Sequence, residues 1–103
     1  MSILLIRSAN RKNPYEADAA VLPNGKILLA SDASESMAEA LDRQIKMYRE
    51  MISDDTGKPA TGEELLEGVA SRWNNMAVQS KIFSDDEVDE AKKYVKESRM
   101  KNA

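Results

Sequence analysis

Apolar positions along this chain change their spacing once, near residue 32. Before it they fall in short apolar-rich segments: Ile3-Leu4-Leu5-Ile6, then Ala17–Leu22 and Lys26–Ser31. The last two flank Pro23-Asn24-Gly25, where Pro presets φ and Asn-Gly tolerates a positive φ, so the pair predicts a β-hairpin. Ser2–Ser8 predicts an N-terminal strand. Between strand and hairpin, Ala9–Glu16 predicts a polar loop carrying Arg11, Lys12, Asn13 and Pro14.

From Asp32 onward the spacing is helical. Met37/Ala38, Leu41, Ile45, Tyr48 and Ile52 recur at three- and four-residue steps, the stripe of an amphipathic helix. The Ser31–Ser36 cluster marks its start, with Asp32 and Glu35 spaced like a capping box, and Gly57 and Pro59 supply stop signals after about Ser53. Thr61 with Glu64 predicts a second start, followed by Leu65/Leu66, Val69/Ala70, Trp73, Met76/Ala77 and Ser80. Ser84 with Glu87 opens a last helix, with Val88, Ala91 and Val95 on its face and Tyr94 beside it. Nothing apolar anchors its end, so fraying is expected near Met100–Ala103.

Strands first and helices after predict one α+β domain over residues 1–103. The expected fold is a three-stranded antiparallel sheet (1–31) packed by three C-terminal α-helices (32–103).

A strand with one wet face alternates apolar and polar residues. Ile3-Leu4-Leu5-Ile6 and Ile27-Leu28-Leu29 do not, so both faces of the sheet call for cover. Helices on one side cover one face. The other requires either the last helix wrapping round or a second copy of the chain, a homodimer.

Composition narrows the chemistry. The 103 residues include no Cys and no His. Disulfides, thiolate zinc sites, Cys nucleophiles, Ser-His-Asp triads and imidazole acid–base catalysis are therefore excluded. No apolar run approaches the roughly 18 residues of a spanning helix, and the start lacks a basic n-region. These features predict a cytoplasmic protein with no membrane contact. Fifteen basic residues against 18 acidic give a net charge of −3. With no basic helix face carrying interleaved aromatics, duplex DNA is not an expected partner.

Motif by motif, catalytic chemistry finds little support. Asp85, Asp86, Glu87, Asp89 and Glu90 lack the spacing of a calcium loop and read as acids complementing a helix N-terminus. Gly25-Lys26 and Gly57-Lys58 lack the preceding Gly and the following Ser or Thr of a phosphate-binding loop. Ser98 and Lys101 share the spacing of a Ser–Lys nucleophile by chance. No cofactor or metal is expected, and the chain reads as non-enzymatic.

Candidate binding residues remain. Residues 1–31 hold Arg7, Arg11, Lys12 and Lys26 against two acids, whereas the rest holds 11 basic residues against 16 acidic. Arg7, Arg11, Lys12 and Asn13 could meet a phosphate or an acidic partner. Tyr15 or Trp73 could stack on a base or interface. Met47 and Met51, off the first helix's main stripe, suggest an adaptable apolar surface.

Two functions follow. The first is a small cytoplasmic interaction protein, an adaptor, inhibitor or regulator of a protein partner. Such a chain would suit a phage or mobile element acting on a host protein. The alternative is an oligomeric binding module for a small anionic ligand such as a nucleotide, without turnover.

Overall fold

In the computed structural model, residues 2–13 and 15–95 are described, together with the backbone of 99–101. The N-terminal segment forms β1 (Ile3–Ser8) and the hairpin forms β2 (Ala19–Val21) and β3 (Ile27–Leu29). Its turn behaves as the sequence predicts. Gly25 stands at φ +90°, its N–H donating to Leu22 O, while Leu22 N–H donates to Lys26 O. That is a type I turn closed by a glycine bulge.

Helix α1 (Glu35–Thr56) follows, capped by Ser34, whose hydroxyl accepts from Met37 N–H at 3.2 Å. The cap is thus not Asp32, whose carboxylate is drawn away to Arg11. Gly57, at φ +71°, ends the helix. Thr61 and Glu64 form the expected capping box on α2 (Gly62–Arg72).

Beyond α2 the structure corrects the sequence reading. The second helix does not run on to Ser80. It stops at Arg72, and Val78–Phe83 forms a strand, β4. Asn74 and Asn75 explain the break, because short amide side chains compete for backbone groups and favour turns. Asn75 Oδ1 accepts from Ala77 N–H at 2.8 Å and Val78 N–H at 3.2 Å, and Asn75 N–H donates to Val78 O. Met76, expected on the helical stripe, is 98% exposed.

The last helix also differs. Ser84 and Glu87 do form a capping pair, but they open a single 3-10 turn (Asp85–Glu87) followed by α3, only Val88–Lys92. The chain then reaches a fifth strand, β5 (Arg99–Lys101), where a frayed helix end was expected. Residues 102 and 103, at the expected frayed end, lie outside the described residues, as do Ser98 and Pro14.

The architecture is α+β, with an antiparallel sheet ordered β4-β1-β2-β3-β5 rather than three strands. β4 pairs with β1 from Ile3↔Phe83 to Ser8↔Val78. Helices α1 and α2 cover one face, burying Leu41, Ile45, Leu65, Leu66 and Val69 against Leu4, Ile6, Val21, Ile27 and Leu29. Each such side chain contributes roughly 1.5–3 kcal/mol relative to exposure. The other face carries Ile3, Leu5, Ala20 and Phe83, covered by Ala91 of α3 and by Val95 in the segment just after it.

Both faces are therefore buried, as the unbroken apolar strands require. The cover on the second face comes from the chain itself. Ile3 is 1% and Leu5 6% exposed without any second copy, so these residues no longer argue for a homodimer.

Candidate functional site

The basic loop between β1 and β2 is organised around Asp18, the only polar side chain buried among the described residues. The β1–β2 ladder ends at the pair Ile6↔Ala19, and beyond it the Asp18 side chain takes up Ser8. Its Oδ2 accepts from Ser8 N–H at 2.6 Å and Ser8 Oγ–H at 2.7 Å. Its Oδ1 accepts from Arg11 Nε at 3.1 Å and Arg11 Nη2 at 2.8 Å. A side chain thus completes a sheet end that backbone alone leaves unpaired.

Arg11 continues outward from Asp18. Nη1 and Nη2 grip Asp32 at 2.7 and 2.8 Å, the planar two-pronged geometry that only guanidinium offers. Glu16 lies at 3.5 Å from Nη1. All three nitrogens are engaged and the side chain is 13% exposed. The hydrogen bonds to Asp32, then those to Asp18, hold Arg11 firmly protonated against its burial. The Arg11 guanidinium in turn lowers the pKa of Asp32.

The remaining loop residues share this region but not this role. Arg7 Nη2 donates to the carbonyls of Arg11, at 3.3 Å, and Asn13, at 3.1 Å. Asn13 Oδ1 accepts from Tyr15 N–H at 2.9 Å. Tyr15 is 65% exposed, its ring 5.8 Å from that of Tyr94. Lys12 is exposed. Arg11, Lys12, Asn13 and Tyr15 thus lie together on the β1–β2 loop, with Arg7 at the end of β1 beside them. Met47 and Met51 lie elsewhere, exposed on α1, and Trp73 is half-buried against the core at the end of α2.

A second feature had no place among the sequence candidates. β4 is a sheet edge, and its hydrogen-bond phase can be read from its neighbours. Ala9 N–H donates to Ala77 O, so residues 77, 79, 81 and 83 turn their backbone groups toward β1. Val78, Ser80 and Ile82 turn theirs outward. Those of Val78 are taken by Asn75. Those of Ser80 and Ile82 have no partner among the described residues. The sequence carries a weak signal of this strand: Val78 and Ile82 share one face at period two with Ser80 between them, while the same residues also fit the tail of a helical stripe.

Side chains on this edge divide by face. Ile82 packs against the helix-side core, and Ser80 Oγ donates to Ala70 O at 3.1 Å. On the opposite face Lys81 is exposed, its Nζ 4.6 Å above the Phe83 ring centre. Among the described residues no carboxylate forms an ion pair with Lys81. Its charge is nonetheless felt by Glu87, whose pKa is lowered chiefly by Ser84 and in small part by Lys81.

A cavity of about 250 Å³ opens beside Lys81, with Leu5, Phe83 and Tyr94 lining it and Arg7, Glu16 and Glu90 also at its walls. Its cations and anions are balanced, which favours no ligand charge. Among the described residues no group of three or more acidic side chains is placed to hold a metal ion, the Asp85–Glu90 segment included. No described helix is long and apolar enough to cross a membrane. In comparisons with known protein families, with curated proteins and with solved structures, the chain matches none.

Proposed function

We propose that this chain is a non-catalytic interaction protein, an adaptor, inhibitor or regulator that binds a protein partner through the open edge of its sheet. One observation carries the reading: the outward N–H and C=O groups of Ser80 and Ile82 on β4, an edge of the five-stranded sheet, have no partner among the described residues. An edge of this kind is a template for a further strand, and main-chain hydrogen bonds supply the affinity.

The anionic-ligand alternative draws less support. It relies on Arg7, Arg11 and Lys12, and of these the Arg11 guanidinium nitrogens are already committed to Asp18, Asp32 and Glu16. A phosphate would have to displace at least one carboxylate to reach Arg11.

The test compares the wild-type chain with Ser80→Pro. Proline removes the outward N–H of Ser80 without touching the ladder to β1, a position that edge strands tolerate. Native mass spectrometry of each, purified gently from its own host, is expected to show a stoichiometric protein partner on the wild type alone. A chain carrying only an added few hundred daltons would overturn the reading in favour of a small ligand. A partner retained equally by both forms would keep an interaction protein but remove β4 as its surface.

A further inference from the structure

We infer that the partner presents an extended segment that docks antiparallel on β4, with an acidic residue opposite Lys81 and an apolar residue opposite Ile82. This rests on the reading above, that the chain works by contact at its sheet edge.

The phase of the strand sets the register. A docking strand exchanges backbone hydrogen bonds with Ser80 and Ile82, whose groups face outward. The residue between those bonds lies opposite Lys81 in a non-hydrogen-bonded pair, where side chains come closest. It shares the face of Lys81, a cation without an ion pair among the described residues. A carboxylate there is the complementary charge. On the helix face, the residue opposite Ile82 extends an apolar surface and the one opposite Ser80 meets a hydroxyl. Read from N to C in the docking strand, the pattern is apolar, acidic, small polar.

The same phase disfavours a second copy of this chain as occupant. Pairing two β4 strands about Lys81 sets two lysines opposite each other at the closest approach, which is destabilising. Pairing them about Ser80 sets Ile82 against Val78, whose outward groups Asn75 already holds. Only the bonds at Ser80 then remain. Lys81 thus acts against self-pairing, a common use of edge lysines, while accepting an acidic strand.

The experiment uses the full chain, isotope-labelled, and three capped synthetic heptapeptides centred on Val-Glu-Thr, Val-Lys-Thr and Val-Glu-Pro. The Glu peptide is expected to bind, shifting the Ser80 and Ile82 amide signals and slowing their hydrogen exchange. The Lys peptide should bind at least about fivefold more weakly, and Lys81→Glu should reverse that order. Lys81→Gln should remove the preference while leaving the fold intact. The Pro peptide, lacking the N–H that would donate to Ser80 O, should bind more weakly than the Glu peptide. The inference is overturned if no peptide binds, if Glu and Lys peptides bind alike, if the shifts fall away from β4, or if the free chain dimerises through β4. Should the peptides fail while Ser80→Pro still abolishes capture of the native partner, the edge stands as the interface and only the proposed pattern falls. Failure of both removes the edge itself.

Discussion

Arg11 grips Asp32 with both terminal nitrogens, at 2.7 and 2.8 Å, across 21 residues of chain. The same guanidinium reaches back to Asp18, so one side chain ties the β1–β2 loop to the end of the hairpin. This is a structural use of a residue whose charge, read along the sequence, suggests ligand binding. The clamp's members differ in burial, which orders their contributions.

Asp18 is the member whose loss is felt most. Asp18→Ala leaves the Ser8 N–H and hydroxyl and part of a mostly buried guanidinium without acceptors. Removing one partner of such a pair costs about 3 kcal/mol. Asp32 has a side chain 65% exposed, and its replacement by Ala is expected to cost much less, because water screens an exposed pair. Urea unfolding should therefore rank Asp18→Ala as much more destabilising than Asp32→Ala. Arg11→Lys should fall between them, since an ammonium cannot serve both carboxylates in the forked geometry. Equal effects of the two aspartate changes would contradict the clamp.

The clamp also gives stability a pH dependence at the acid end. Asp32 is held below its ordinary value of 3.8, first by its hydrogen bonds from Arg11. A depressed folded-state pKa means stability fully present above the unfolded value and lost as pH falls through the folded one. Asp32→Asn should accordingly be less stable than wild type at pH 6. As pH falls below 3.8 and through the lowered folded value the gap should narrow, because wild type then loses the same charge. Thermal unfolding of both proteins from pH 2 to pH 7 tests this, and a gap constant across that range would refute it.

Gly68 decides how closely α2 approaches α1. A Cβ at this position would lie 2.7 Å from Tyr48 Cδ1, well inside contact distance. Alanine would raise helix propensity by about 1 kcal/mol, yet overpacking typically costs about 1–3 kcal/mol. Net destabilisation is expected for Gly68→Ala. The double variant Gly68→Ala with Tyr48→Leu should recover part of it in a double-mutant cycle, whereas additive effects would place the strain elsewhere.

Gly25 and Gly57 share a positive φ, at +90° and +71°, in different surroundings. A Cβ at Gly57 meets nothing within 4 Å, while one at Gly25 overlaps the guanidinium of Arg49, which donates to Asn24 O. Gly57→Ala should incur only the left-handed backbone penalty, about 1–2 kcal/mol. Gly25→Ala incurs that and displaces Arg49 from the hairpin turn, so its midpoint in urea should be lower. A larger loss at Gly57 would mean that Arg49 does not brace the turn.

Local signals determined much of this fold. The Asn-Gly hairpin, the stripe of α1, its Gly57 stop and the Thr61–Glu64 box are readable because each depends on residues within a few positions of one another. The unbroken runs Ile3–Ile6 and Ile27–Leu29 also announced a sheet buried on both faces. Tertiary structure alone decided the rest. Val78–Phe83 could continue a helical stripe or alternate as a strand, and the pairing with β1 settles the choice in favour of the strand. Asp32 could cap α1 but is taken by Arg11, and Ser34 caps instead. The second face could be covered by a homodimer or by the chain's own last helix, and Ala91 and Val95 supply the cover. Which backbone groups remain open at Ser80 and Ile82 depends on ladder phase, a relation between β1 and β4 that no local pattern encodes. Short-range preferences act within a turn or two of chain, whereas pairing and burial are set by residues distant in sequence and close in space.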